Sequence, residues 1–241
     1  MAIKTIVYDG VSYDISYELY GDNTKETVIF LHGWGSSKEV MRDSFLRFCD
    51  DFRVLFLDLP GFGNSSILKP LHTREYADIV DMFLKALHVE KNIIFGHSFG
   101  GKVATILKPK ILVLLSSAGI INQKSLKVRL KIKIYKFLKP IFGNSLYKIF
   151  ATKDVDGLSQ VMYETLKRVV DEDFSKEFAS FENPALVYWG RDDEAVPLSN
   201  AHKINSLMKN SKLRVYEGGH FFFLKNAQKI CIDFKEDMDI K

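Results

Sequence analysis

Short apolar runs alternate along this 241-residue chain with longer segments in which apolar residues recur at helical spacing. The short runs predict buried strands at Thr27–Phe30, Arg53–Phe56, Asn92–Phe95, Ile111–Ser116, Ala185–Val187 and Leu213–Tyr216. The longer segments predict helices near Lys38–Cys49, Arg74–His88, Leu198–Met208 and Phe221–Phe234. Because strands that alternate with helices usually build a mostly parallel sheet covered on both faces, we predict an α/β fold. The opening segments Ile3–Tyr8 and Tyr13–Tyr20 are expected to pair as an antiparallel hairpin at one edge.

A serine follows one of these predicted strands directly. Residues 96–101 read Gly-His-Ser-Phe-Gly-Gly, and the serine is Ser98. In a Gly-x-Ser-x-Gly turn between a strand and a helix, the glycines allow a sharp backbone that holds the serine at the tip. The apolar run before the turn and the helix-forming residues 102–107 after it supply this context. We therefore predict that Ser98 is a nucleophile.

Two possible partners of Ser98 lie further along the chain, each just past a predicted strand. Asp192 and Asp193 follow the strand at 185–187, and His220 follows the strand at 213–216. His220 would take the proton of the serine, and a carboxylate would orient the imidazole and stabilise its charged form. The order serine, aspartate, histidine differs from that of other serine hydrolase folds. Both aspartates remain candidates at this point.

The chain resembles the α/β-hydrolase family over essentially its whole length. Besides the three segments above, the resemblance includes Leu31–Gly35 (L-H-G-W-G) and Leu57–Ser65 (L-D-L-P-G-F-G-N-S), each after an apolar run. It implies a triad of Ser98, Asp193 and His220, because the acid of similar sequences usually lies three positions after the glycine that is Gly190 here. It also implies an oxyanion hole formed by the backbone amides of Trp34 and Phe99. An enzyme of this kind needs no cofactor, and no histidine, cysteine or carboxylate residues stand at metal-ligand spacing.

The resemblance implies a helical cap inserted at residues 121–183, between two core segments at 1–120 and 184–241. The first half of this insertion, residues 121–153, contains nine lysine or arginine residues, Lys124 to Lys153, and no acidic residue. The whole chain has 34 basic and 30 acidic residues, so this segment carries all of the net positive charge. It is interpreted either as the solvated face of a helix or as a docking surface for an acidic partner such as an acyl carrier protein. Nucleic acid is not expected, because no binding module is recognisable.

The composition agrees with one ordinary soluble domain. Two cysteines are too few for a disulfide scaffold. The N-terminal residues show no secretory signal, and no apolar stretch is long enough for a membrane span. We therefore expect a cytoplasmic protein that is not transmembrane.

The sequence favours the first of three functions, and the other two are alternatives. The first is a carboxylesterase or thioesterase that forms an acyl-enzyme on Ser98. The second is hydrolysis of a carbon–carbon bond in a 2-hydroxy-6-oxo-dienoate. It is suggested by the loop at 190–193 and the cap, which resemble those of meta-cleavage-product hydrolases. Arg168 is then a candidate for binding the substrate carboxylate. Those enzymes usually read Gly-Asn-Ser and His-Trp where this chain has Gly-His-Ser and His-Phe. The third is a non-catalytic ligand-binding protein that kept the fold.

Overall fold

A computed structural model describes residues 1–121 and 159–239. Eight strands form one sheet in the order β1-β2-β4-β3-β5-β6-β7-β8. Their bounds are Ala2–Tyr8 (β1), Val11–Tyr20 (β2), Thr27–Leu31 (β3), Arg53–Leu57 (β4), Ile93–His97 (β5), Ile111–Leu115 (β6), Ala185–Gly190 (β7) and Ser211–Tyr216 (β8). β2 pairs antiparallel with both β1 and β4, and every other pair is parallel. The predicted mostly parallel sheet with an antiparallel opening hairpin is confirmed.

The helices of the described residues lie between these strands. Their bounds are Lys38–Phe45 (α1), Thr73–Ala86 (α2), Phe99–Leu107 (α3), Gln160–Val169 (α4), Ser175–Ala179 (α5), Leu198–Leu207 (α6) and Phe223–Asp237 (α7). A short 3-10 helix, Leu46–Phe48, extends α1. All four helices predicted from the apolar pattern are present, and their ends differ from the predicted ones by a few residues.

Alternate residues of each central strand pack into two separate cores. In β3, Ile29 and Leu31 join one core, whereas Val28 and Phe30 join the other. The first core receives the buried faces of α2, α3 and α6, and the second receives those of α1 and α7. Because successive side chains of a strand point to opposite faces, a strand covered on both sides must be apolar throughout. This requirement explains why the central strands appear in the sequence as unbroken apolar runs.

The predicted cap falls partly within the described residues. Residues 159–183 contain α4 and α5, whose buried side chains Met162, Val169 and Phe178 join the first core. The basic segment 124–153 lies outside the described residues, and the boundaries predicted for the cap stay a prediction. Among the helices of the described part of the chain, none has the length and apolar character that crossing a bilayer requires.

Candidate active site

Three polar side chains meet at the carboxyl edge of the sheet. Ser98 follows β5, Asp193 follows β7, and His220 follows β8. The carboxyl ends of neighbouring parallel strands lie at the same edge, so the loops that leave them converge. Residues separated by up to 122 positions in the sequence are therefore brought to one place.

Ser98 stands at a strained turn between β5 and α3. Its backbone has φ 49° and ψ −112°, in a region that residues with a side chain rarely adopt. The turn is held by hydrogen bonds from its amide to the carbonyl oxygen of Leu115 (3.1 Å) and from the amides of Gly101 and Ala118 to its carbonyl oxygen (3.1 Å each). A Cβ on Gly96 would lie 2.6 Å from the carbonyl oxygen of Gly100, so this crossing requires glycine. The geometry is that of a nucleophile elbow.

The Asp193 carboxylate contacts the His220 ring directly. Oδ2 of Asp193 lies 2.8 Å from Nδ1 of His220, and Oδ1 accepts hydrogen bonds from the amides of Ala195 (2.9 Å) and Val196 (2.8 Å). The Asp193 side chain is fully buried, whereas 18% of the His220 side chain is exposed. Asp192 is exposed on the same loop. The structure therefore brings Asp193, and not its neighbour, against the histidine.

The environment of Asp193 favours its ionised form. Burial alone would raise the pKa of the carboxyl, but hydrogen bonds from His220 and from the Val196 amide outweigh it, and the pKa lies below its ordinary value. An ionised carboxylate can only accept a hydrogen bond, so Nδ1 of His220 is the donor of this bond, and Nε2 remains as the ring atom that can accept a proton. Within the described residues, no hydrogen bond joins the His220 ring to the Ser98 hydroxyl, whose hydrogen bond to the base commonly forms only when substrate binds.

Trp34 and Phe99, the residues predicted to supply oxyanion amides, lie side by side. Their rings pack edge to face with centroids 5.7 Å apart, and Phe62 contacts the Trp34 ring from another side at 4.9 Å. Phe99 is the first residue of α3, so its amide belongs to the positive end of the helix. An amide at that position is suited to stabilise negative charge near Ser98.

His32 holds the turn that carries Trp34. Its Nε2 accepts a hydrogen bond from the amide of Leu59 (3.0 Å), so its Nδ1 is the atom that donates to the carbonyl oxygen of Gly33 (2.8 Å). Burial lowers the pKa of the ring, which keeps it neutral, as this pair of bonds requires. The loop after β3 is thereby tied to the loop after β4.

The comparison with protein families agrees with this geometry. The model of the alpha/beta hydrolase fold family matches residues 26–109 and 164–227, which is more than half of the chain. The chain belongs to the α/β-hydrolase fold family. The resemblance inferred from the sequence motifs is confirmed.

Individual relatives of this α/β-hydrolase cover nearly its whole length. A pimeloyl-[acyl-carrier protein] methyl ester esterase of Vibrio campbellii is 24% identical, over 94% of this chain and 99% of that protein. An esterase from Exiguobacterium antarcticum has the same fold, with a TM-score of 0.76, 19% identity and coverage of 98% of both chains. A meta-cleavage product hydrolase from Pseudomonas fluorescens also shares the fold, with a TM-score of 0.68 at 19% identity, covering 98% of this chain and 97% of that one.

Ser116 is a residue of the α/β-hydrolase site that the sequence motifs did not single out. It follows β6, is fully buried, and has φ 45°. Its hydroxyl oxygen accepts a hydrogen bond from the amide of Gly190 (3.5 Å), and the hydroxyl helps to lower the pKa of the Asp193 carboxyl. The signal in the sequence was a polar residue at the end of an apolar strand that lies between the strands of Ser98 and Asp193.

Arg168, the residue predicted to bind a substrate carboxylate, has a hydrogen-bond partner outside this group of residues. It is exposed on α4, and its Nη1 donates a hydrogen bond to the carbonyl oxygen of Pro70 at 2.7 Å. Within the described part of the chain it has no hydrogen bond or ion pair with Ser98, Asp193 or His220. The role suggested for it, binding a substrate carboxylate, stays a prediction.

Proposed function

We propose that this protein is a serine hydrolase that cleaves an acyl ester or thioester through Ser98, Asp193 and His220. The observation that carries the proposal is the 2.8 Å contact between the buried Asp193 carboxylate and His220 Nδ1 beside the strained serine turn. That contact leaves His220 Nε2 as an acceptor for the serine proton. A ligand-binding protein would have no need for a carboxylate that orients a histidine in this way.

The reaction proceeds through an acyl-enzyme. His220 Nε2 removes the proton of Ser98 as Oγ attacks the carbonyl carbon, and the resulting oxyanion is stabilised by the amides of Trp34 and Phe99. The protonated His220 then gives this proton to the leaving alcohol or thiol. A water molecule, deprotonated by His220, then attacks the acyl carbon, the bond from that carbon to Ser98 Oγ breaks, and His220 returns the proton to Oγ as the acid leaves. Asp193 stays ionised throughout and stabilises the imidazolium.

Labelling with a fluorophosphonate probe tests the proposal. The wild-type protein is expected to be labelled, and Ser98→Ala is expected not to be. Asp193→Asn should label on the order of 10⁴-fold more slowly, because the amide favours the wrong tautomer of His220. Asp192→Asn is the matched control and should label like the wild type, since Asp192 is exposed. Absence of labelling in well-folded wild-type protein would contradict the proposal and favour a non-catalytic binding protein.

The substrate we favour is an ester or thioester carried on an acidic protein such as an acyl carrier protein. Support comes from the Vibrio campbellii relative, whose name specifies an ester of this kind, and from the excess of basic residues at 124–153. Such a substrate would place the enzyme in the cytoplasm, where the two buried thiols Cys49 and Cys231, 4.0 Å apart, would remain reduced.

A comparison of the hydrolysis rates of carrier-linked and free esters tests this assignment. Hydrolysis of a methyl ester linked to an acyl carrier protein should exceed that of the same ester free in solution, and the difference should fall with added salt. Replacing Lys127, Lys131 and Lys136 by glutamine should abolish the difference and leave hydrolysis of the free ester unchanged. Unchanged turnover of the carrier-linked ester in this variant would contradict docking.

A 2-hydroxy-6-oxo-dienoate in the same panel tests carbon–carbon hydrolysis, with Arg168→Ala as the matched variant.

A further inference from the structure

His97 connects the nucleophile to the loop of the base. It is the last residue of β5, directly before Ser98, and only 1% of it is exposed. Its Nε2 lies 3.0 Å from the backbone carbonyl oxygen of His220, and the two rings pack with centroids 4.7 Å apart. A neighbour of the serine in sequence thus contacts the base loop, 123 residues further along the chain.

This hydrogen bond determines which ring nitrogen of His97 carries the proton. A carbonyl oxygen can only accept a hydrogen bond, so Nε2 is the donor. Burial, together with the nearby His220 ring, lowers the pKa of His97 to about 3. The ring is therefore neutral at physiological pH, and Nδ1, which is buried and has no hydrogen-bond partner among the described residues, carries no proton. Because its single N–H proton is engaged by the His220 carbonyl, His97 is suited to hold that loop rather than to transfer protons.

Close contacts hold the His97 ring in place. A Cβ on Gly33 would lie 2.8 Å from His97 Nδ1 and 3.1 Å from the Ser98 Cβ, so the segment that leads to the oxyanion residue passes directly over both. The rings of Phe221 and Phe223 pack against His97 with centroid distances of 4.9 Å each. A ring enclosed in this way presents its N–H at a constant position.

The backbone before His220 requires such an anchor. The two preceding residues are Gly218 and Gly219, and Gly218 has φ 116°, a conformation that glycine adopts readily and other residues rarely do. Glycines make a segment conformationally free in the absence of tertiary contacts. The hydrogen bond from His97 restricts this freedom at the residue whose ring must reach Ser98.

We propose that His97 is a positioning residue, whose Nε2–H holds the His220 backbone so that the His220 ring stands at the correct distance from Ser98. The inference rests on the proposed function, because the distance that His97 controls is the path of the proton from Ser98 to His220. A misplacement of about 1 Å in a catalytic group can cost on the order of 100-fold in rate. Loss of the donor should therefore lower kcat and leave KM nearly unchanged.

Two variants separate the hydrogen bond from the packing of the ring. His97→Gln can place an amide N–H where Nε2 stood but has no ring, whereas His97→Phe keeps a ring but has no donor. We expect His97→Phe to lower both kcat for a p-nitrophenyl ester and the rate of fluorophosphonate labelling by roughly 10- to 100-fold. Its melting temperature should stay above that of His97→Gln, since the ring that packs against Phe221 and Phe223 is kept, although the His220 carbonyl loses its donor. His97→Gln should melt lower and yet stay within about five-fold of the wild-type kcat.

The reverse order of activities would overturn the proposal. If His97→Phe is as active as the wild type, or more active than His97→Gln, the ring contributes packing alone. A wild-type protein that reacts with neither probe nor ester would instead contradict the proposed function, so the two failures are distinguishable.

Imidazole 15N chemical shifts of the wild-type protein supply a measurement that does not depend on any variant folding. The expected spectrum shows His97 protonated at Nε2 and bare at Nδ1 from pH 8 down to pH 5. Protonation at Nδ1, or titration of the His97 ring within this range, would overturn the proposal.

Discussion

The ion pair between Lys102 and Glu172 leads to an asymmetric prediction about stability. Lys102 lies on α3, four residues after Ser98, and 2% of its side chain is exposed. Its Nζ donates to Glu172 Oε2 (2.9 Å) and to the carbonyl oxygen of Val169 (2.6 Å). The Glu172 side chain is 24% exposed and also accepts hydrogen bonds from the amide and hydroxyl of Thr73. The lysine therefore depends on the glutamate more than the glutamate depends on the lysine.

The cost of removing each partner follows from this difference. Glu172→Leu leaves a buried ammonium with one carbonyl oxygen and should lower the free energy of unfolding by about 4 kcal/mol. Lys102→Met leaves a partly hydrated carboxylate that keeps both hydrogen bonds from Thr73, so the loss should be about 1.5 kcal/mol. The double variant replaces the pair by apolar groups and loses the bonds from Thr73 to Glu172 and the bond from Lys102 to the Val169 carbonyl, at about 2 kcal/mol in total. The double variant should thus be more stable than Glu172→Leu alone.

The same ion pair predicts how stability depends on alkaline pH. Burial lowers the pKa of Lys102 below its ordinary value of 10.5, although Glu172 opposes the shift. The unfolded chain then binds more protons than the folded one in the interval below pH 10.5, and stability rises with pH across that interval. Lys102→Met should remove this rise.

Urea unfolding followed by circular dichroism at 25 °C measures all four proteins. The wild type, both single variants and the double variant form a complete double-mutant cycle. If Lys102→Met lowers the free energy of unfolding as much as Glu172→Leu does, the inference that Lys102 is the more buried partner is refuted. Additive losses in the double variant would refute the coupling of the two side chains.

Three further predictions concern the site. Gly33→Ala places a Cβ 2.8 Å from His97 Nδ1 and should slow fluorophosphonate labelling more than about 10-fold while circular dichroism stays unchanged. The lowered pKa of Asp193 means that its contribution to stability is present above the unfolded-state pKa near 3.8 and is lost as pH falls through the lower folded-state value. Asp193→Asn should therefore flatten the acid decline of the urea midpoint. Gly100→Ala brings a Cβ within 2.5 Å of two backbone carbonyl oxygens and should cost about 3 kcal/mol in a urea titration.

The strands and helices of the fold could be predicted from the sequence, but their arrangement in space could be predicted only in part. The apolar runs indicated the strands, and the alternation with helices indicated a mostly parallel sheet. The spatial order in which β4 lies between β2 and β3 was not accessible from apolar patterns, because neighbours in the sheet are decided by pairing across long segments.

The candidate site, too, could be predicted only in part from the sequence. Ser98 and His220 could be recognised from short sequence motifs. Asp192 and Asp193 are two aspartates on one loop, and only the structure shows that Asp193 is buried whereas Asp192 is exposed. Lys102 would be assigned to the surface from its charge alone, because lysine is almost never fully buried unless it is paired. Its partner, Glu172, lies 70 residues away in the sequence.

The sequence by itself determined the alternation of strands and helices, the sharp turn at Ser98 and the chain order of serine, aspartate and histidine. These features depend on periodicity and on glycine, which act over a few residues. The tertiary structure alone decided that Asp193 meets His220 and that His97 holds the His220 backbone. Those contacts join residues 27 and 123 positions apart, which only the packing of the sheet and its helices brings together.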